Sequence, residues 1–174
     1  MLSKKICMLG ALAVGKTALI QQYVRSIFSD SYLSSVGVKV SKKTLTVQET
    51  PMNLLLWDLE GQDDYNAVNT SYIKGAAGLL FVVDGTRGET LSVALMLRNT
   101  ALDILGHNTP HVLLINKEDL NDSWEITDKV LTSLKNSGIT VLKTSAKTGL
   151  NVESAFSALA EMMVDADAPA TMDT

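Results

Sequence analysis

Cys7 is the only cysteine in the 174 residues. A lone thiol excludes an intramolecular disulfide and a cysteine-based zinc site, and it suits a reducing compartment, so a cytoplasmic location is expected. Within "KKICMLG" it reads as a core strand residue rather than a reactive group. No apolar run reaches the length of a membrane-spanning helix. Residue 2 is leucine, which gives no myristoylation signal, and "APATMDT" offers no cysteine to prenylate, so no direct lipid anchor is expected. A large excess of charge of either sign is also lacking. A net charge of -4 weighs against a broad nucleic-acid or anionic-membrane surface, and no nucleic-acid partner is expected. It leaves room for a local anion pocket, which needs only a few charges and backbone amides. Internal repeats, low-complexity segments and linkers are absent.

What is present fits one domain with a core that needs no disulfides: 46% of residues are hydrophobic and 20% charged. Short β-rich runs alternate with helical patterns, which predicts an α/β fold with a mostly parallel sheet and helices on both faces. "KKICMLG" is a continuous apolar run ending in glycine, the pattern of a central strand buried on both sides. "KTALIQQYVRSIF" follows with Leu19, Ile20, Tyr23, Val24 and Ile27 at helical spacing. "SDSYLSS" reads as a loop. "VGVKVSKKTLTV" alternates, with Val36, Val38 and Val40 on one face, and a tight connection leads to the strand "PMNLLLWD" opened by Pro51. "GLLFVVDGT", "HVLLINKEDL" and "TVLKTSAK" supply three more strands, giving six in all with one antiparallel pair, and residues 89–105, 124–136 and 151–164 read as helices. Residues 1–165 are expected to form the domain and 166–174 a short acidic tail. The seven methionines read as core filling, and His107 and His111 as loop residues. Polar residues follow nearly every apolar run, and in an open α/β sheet the carboxyl edge of the strands is where ligands bind.

"GALAVGKTAL" admits two readings. It can be the end of a short targeting segment, since "MLSKK" is basic and "ICMLGALAVG" apolar. It also fits G-x-x-x-x-G-K-[ST] through Gly10, Gly15, Lys16 and Thr17, between a buried strand and a helix as a phosphate loop requires. In the second reading glycines let backbone N–H groups turn toward phosphates, Lys16 reaches the β- and γ-phosphate oxygens, and the Thr17 hydroxyl ligates Mg2+. The first predicts nothing downstream. The second is met by "WDLEGQ" (Asp58, Gly61, Gln62), "NKED" (Asn116, Lys117, Asp119) and "TSAKTG" (Ser145, Ala146, Lys147), each after a strand.

With these motifs, "SSVGV" and "TSAKTGLNVESAF" included, the chain resembles a Ras-superfamily small GTPase over about residues 4–164, most similar to the Rab branch. The resemblance implies a P-loop NTPase fold and a switch that binds GTP or GDP with Mg2+ and hydrolyses GTP. Asp119 would accept both N–H groups of guanine's Watson–Crick edge, a pairing that rejects adenine by roughly 10^4 or more. Asn116 would face the base's other edge, the Lys117 stem would cover one face, and Phe28 would stack nearby. The Ala146 N–H would meet the guanine carbonyl, with Ser145 and Lys147 holding that loop. Backbone groups of Ala13, Val14 and Ala18 complete the nucleotide-binding set. Asp58 and Ser35 would join Thr17 around Mg2+, Gly61 would sense the γ-phosphate, and Gln62 would orient the attacking water while Lys16 steadies charge. Effectors, an exchange factor and an activating protein would read the switch regions.

Some positions depart from that pattern. Ser35 stands where threonine is usual, Leu12 stands in the phosphate loop, and Glu60 precedes Gly61; the last two would crowd or repel the γ-phosphate unless they point outward. Intrinsic hydrolysis is therefore expected at or below roughly 10^-4 s^-1. Arg25 and Arg87 read as surface charges rather than an internal arginine finger. Trp57 and Tyr72 match two positions of an aromatic partner patch, but the third is Val40 and Lys39 replaces an acid, so a different partner is expected; Trp57 also fits a core role. Two alternatives stay open: a GTP-binding module that hardly hydrolyses, and a P-loop kinase or ATPase, which "NKED" and "TSAK" oppose.

Overall fold

In the apolar runs successive residues face opposite sides of the sheet, so each run feeds two cores at once. The computed structural model describes residues 1–25, 38–59 and 70–169, with the backbone of 30–33. Its strands are β1 (Leu2–Gly10), β2 (Asp30–Leu33), β3 (Lys39–Val47), β4 (Thr50–Asp58), β5 (Gly78–Asp84), β6 (His111–Asn116) and β7 (Val141–Lys143). The helices are α1 (Lys16–Tyr23), α2 (Thr70–Ile73), α3 (Glu89–Leu105), α4 (Asp128–Asn136) and α5 (Val152–Asp167). The sheet order is β2-β3-β4-β1-β5-β6-β7. Strand β1 runs parallel to β4 and β5, and β5-β6-β7 continue in parallel. Strands β3 and β4 are antiparallel, as the six-strand reading expects, and β6 is the "HVLLIN" strand.

Ile6, Met8, Leu80, Val82 and Leu114 point to the α1 and α5 side, where they meet Leu19, Tyr23, Phe156 and Leu159. Cys7, Leu9, Phe81, Val83 and Ile115 point to the other side, against Ala94, Ala101 and Leu102 of α3 and Leu131 of α4. Burial pushes the Cys7 thiol up to about 11, against a smaller pull from Lys5, so it stays protonated in the core. Met8, Met52 and Met163 fill the core on the α1 and α5 side, whereas Met1 and Met96 are exposed and depart from the core-filling expectation.

Several elements differ from expectation, among them α5, which runs to Asp167 rather than 164, and α1, which ends at Tyr23. The "SDSYLSS" loop reading is corrected: Asp30–Leu33 pairs antiparallel with Lys39–Lys42 and adds a seventh strand at the edge. A short polar edge strand gains its order from the neighbour's unpaired backbone, not from apolar alternation of its own. The helix read at 124–136 begins at Asp128, because the Thr127 hydroxyl accepts from the Val130 N–H and caps it there. His111 is a strand residue, not a loop residue: Arg98 Nε donates to its Nε2 at 2.9 Å and its Nδ1 meets the Thr109 carbonyl at 2.8 Å. Burial lowers its pKa, and the cationic Arg98 adds to that against the Thr109 bond. The tight β3–β4 connection is a two-residue turn at Gln48 and Glu49, both with positive φ as that hairpin class requires. Val38 and Val40 are buried as read; Val36 and Ile27 lie outside the described residues.

The chain winds in opposite directions on either side of β1. That brings the carboxyl ends of β4, β1, β5 and β6 to one edge, with Asp58, Gly10, Asp84 and Asn116 side by side.

Candidate functional site

Between β1 and α1 the chain must reverse within five residues and still start a helix. Gly15 does this at φ +106°, a left-handed conformation that suits a residue without Cβ, and a Cβ there would lie 2.3 Å from Asn116 Nδ2. Lys16, 1% exposed, folds back beneath the loop and its Nζ donates to the Gly10 and Ala11 carbonyls, each at 2.9 Å. The Thr17 hydroxyl donates to the buried Asp58 carboxylate. Hydroxyl and carboxylate oxygens thus converge at the lip of the loop, a donor set of the hard kind that Mg2+ takes.

The remaining loop carbonyls are held from outside. Asn116 Nδ2 donates to Val14 O at 3.0 Å, and Lys117 Nζ donates to Ala13 O at 3.0 Å. Arg87 Nη2 donates to Leu12 O at 2.7 Å. Arg87 is a partly exposed surface cation as read, but its guanidinium also bridges two loops far apart in sequence, which periodicity could not show. Arg25 is exposed at the end of α1, as read. The Leu12 side chain is 60% exposed, so its aliphatic group points to solvent rather than into the described part of the loop.

Asp84 is the anchor that the sequence reading missed. Its side chain is 2% exposed, and its Oδ2 lies 3.0 Å from Arg87 Nε and 2.9 Å from Lys117 Nζ. Oδ1 accepts from the Thr86 N–H at 2.9 Å and from the Thr86 hydroxyl at 2.6 Å. Burial alone would push this carboxyl up, but the bonds from Thr86, Lys117 and Arg87 outweigh it and hold the pKa down at about 2. The available signal was a carboxylate ending the wholly buried strand "GLLFVVD", where an unpaired charge would be costly.

Beside the loop lies a pocket of about 390 Å³ walled by Gly15 and Ala18, by Asn116, Lys117, Asp119 and Leu120, and by Ala146 and Lys147. Ser145 Oγ donates to Asp119 Oδ1 at 2.7 Å, which fixes the carboxylate at the pocket wall. Asn116 Oδ1 takes the Ala146 N–H and the Thr144 hydroxyl, each at 3.2 Å, so the loops after β6 and β7 share one amide. Lys117 sits at φ +69°, and Trp124 Nε1 holds its carbonyl at 2.9 Å. Trp124 in turn packs over Gly85, where a Cβ would come within 2.2 Å of the indole. Trp124 and Gly85 are a second feature that the sequence reading missed, because each is unremarkable without the other.

At the expected partner surface, Trp57 and Tyr72 are half-buried against the α3-side core, and Val40 is 1% exposed. Lys5 Nζ lies 3.8 Å over the Trp57 ring, while Trp57 Nε1 is buried with no hydrogen-bond partner among the described residues. Phe28, Ser35, Glu60, Gly61 and Gln62 lie outside the described residues. Among the described residues no helix is long and apolar enough to cross a membrane.

Strand, glycine-bearing loop and helix in this order, at the carboxyl edge of this sheet, make the chain a P-loop nucleotide-binding α/β domain. Within that class it belongs to the Ras family, whose family model matches residues 5–165. Among curated proteins it is similar to "Ras-related protein Rab-25" of Bos taurus, 32% identical over 87% of this chain and 72% of that protein. It is similar as well to "Ras-related protein RABA4b" of Arabidopsis thaliana, 30% identical over 89% and 70%. "Ras-related protein Rab-8A" of Gallus gallus is 31% identical over 90% of this chain and 76% of its own length. The chain is a small GTPase near the Rab branch.

Proposed function

We propose that the chain binds GTP and GDP together with Mg2+ and acts as a conformational switch that hydrolyses GTP slowly. The setting of Asp119 carries this reading. A carboxylate steadied by Ser145 at the wall of a base-sized pocket accepts two N–H groups, which guanine offers on one edge and adenine does not. The Lys117 stem and Ala18 line the same pocket, with Phe28 as the further stacking residue that the family resemblance assigns. The loop amides of Ala13, Val14, Gly15 and Lys16 take the phosphates, and Thr17, Asp58 and Ser35 hold Mg2+, which when bound neutralises phosphate charge. Gln62 positions the attacking water, and the Gly61 amide follows the γ-phosphate. Residues 1–165 are the working domain in this reading, its partners read the switch regions, and its setting is the cytoplasm.

Slow hydrolysis has support in where the arginines sit. The chain has three: Arg25 is exposed at the far end of α1, Arg98 is bonded to His111, and Arg87 is engaged by Asp84 and Leu12. None supplies an internal finger to the phosphates. Relatives lacking one hydrolyse at roughly 10^-4 s^-1, a half-life of about two hours. Loading the protein with GTP and separating the bound nucleotide by chromatography over a day measures this. Turnover faster than about 10^-2 s^-1 would overturn slow hydrolysis, and intact GTP after a day would favour the binding-module reading. In the same preparation GDP should displace a labelled guanine nucleotide while ADP at roughly 10^2-fold excess does not, since the pairing rejects adenine by roughly 10^4; preferential ATP binding would sink the base assignment.

A further inference from the structure

Five consecutive carbonyls of the phosphate loop are each held by a side chain. Lys16 takes Gly10 and Ala11, Arg87 takes Leu12, Lys117 takes Ala13 and Asn116 takes Val14. A trans peptide is planar, with its C=O and the following N–H pointing in opposite directions, and every peptide here is trans. Pinning a carbonyl outward therefore aims the next residue's N–H inward. The bond on Leu12 O controls the Ala13 N–H in this way.

That peptide is where the loop most needs holding. Ala13 adopts φ +59°, a left-handed conformation that costs a residue with a Cβ roughly 1–2 kcal/mol and that nothing in alanine's own chemistry favours. The peptides on its two sides end in the carbonyls taken by Arg87 and Lys117, and both cations stand on the same oxygen of Asp84. Asp84 is fixed in turn by Thr86 and by its place at the end of β5.

We propose that Arg87 is a positioning residue for nucleotide binding: through Leu12 O it holds Ala13 in its strained conformation and aims the Ala13 N–H at the nucleotide's β-phosphate. The role rests on the guanine-nucleotide reading above. It is distinct from an arginine finger, because the guanidinium is spent on a carboxylate and a carbonyl and acts through backbone. Arginine suits the task because its planar fork reaches two acceptors in fixed geometry, which an ammonium matches only in part.

The test compares wild type, Arg87→Ala and Arg87→Lys, each loaded with GDP. The Arg87 side chain is 38% exposed, so truncation leaves a folded protein, and circular dichroism checks this. Release of a fluorescent GDP should accelerate about tenfold in Arg87→Ala, with Arg87→Lys between the two. The phosphorus resonance of the bound β-phosphate should move in Arg87→Ala while the guanine imino proton stays in place, since the base contacts lie on other loops. Release within twofold of wild type, an unmoved β-phosphorus, or equal movement of the base signal would each overturn the role of Arg87 and leave the nucleotide reading standing. A wild-type chain that holds no GDP would overturn both.

Discussion

Asp119→Asn should invert the choice of nucleotide, from guanosine to xanthosine triphosphate. The aspartate accepts at both oxygens, whereas asparagine has one acceptor and one donor group. Ser145 Oγ donates to Oδ1 at 2.7 Å, so in the variant the amide oxygen stays on Ser145 and the amide nitrogen takes the other position. That nitrogen faces guanine's exocyclic amine, donor against donor, but it meets the C2 carbonyl of xanthine as a partner. Losing a pairing of this kind costs roughly 10^4 in discrimination. Competition between the two triphosphates on wild type and variant measures it directly. A variant that still prefers GTP would remove the ground for assigning the pocket to guanine.

The second large effect is expected at Asp84. Asp84→Ala takes the acceptor from Arg87, Lys117 and both Thr86 groups at once. Removing one partner of a fully buried ion pair costs about 3–5 kcal/mol. Arg87 and Lys117 are 38% and 32% exposed and can regain water, so a loss of about 2–4 kcal/mol is the better figure. For a domain of this size that lowers the melting temperature by about 5–12 °C. Nucleotide release should also quicken, since two loop carbonyls lose their anchored donors. The pH dependence has a definite sign. A carboxyl held at about 2 in the fold, against 3.8 when free, stabilises the folded state. Its contribution of about 2 kcal/mol is complete above pH 4 and disappears as pH falls through 2. Thermal melts of wild type and Asp84→Asn from pH 2 to 8 should therefore stay apart above pH 4 and draw together toward pH 2. Equal melting of wild type and Asp84→Ala at neutral pH would show that the cluster carries no stability.

Much of the architecture was legible because its causes are local. "KKICMLG" and "GLLFVVD" are apolar without alternation, and only burial on both faces of a sheet makes such runs stable. Residues 89–105 match α3, since the helical spacing lies within that stretch and Gly106 directly after it ends the helix. The candidate site residues at strand ends could be placed for the same reason: Asn116 ends β6 with Lys117 and Asp119 just beyond, and Ser145 and Ala146 follow β7. The strand at Asp30–Leu33 was not legible, because its hydrogen bonds belong to β3.

From the sequence alone came the chemical parts and their order along the chain: the phosphate loop, the polar loops after β6 and β7, the runs that become strands, and the departures at Leu12 and Glu60. These follow from rules that act over a few residues, such as side-chain alternation and the freedom of glycine. Only the tertiary structure decided that Arg87 reaches back 75 residues to Leu12, that Asp84 supports both cations, and that Trp124 occupies the space left by Gly85. Those contacts exist because β1, β5 and β6 are neighbours in the sheet, and the pairing of strands is set by the packing of the whole core rather than by any stretch of chain taken singly.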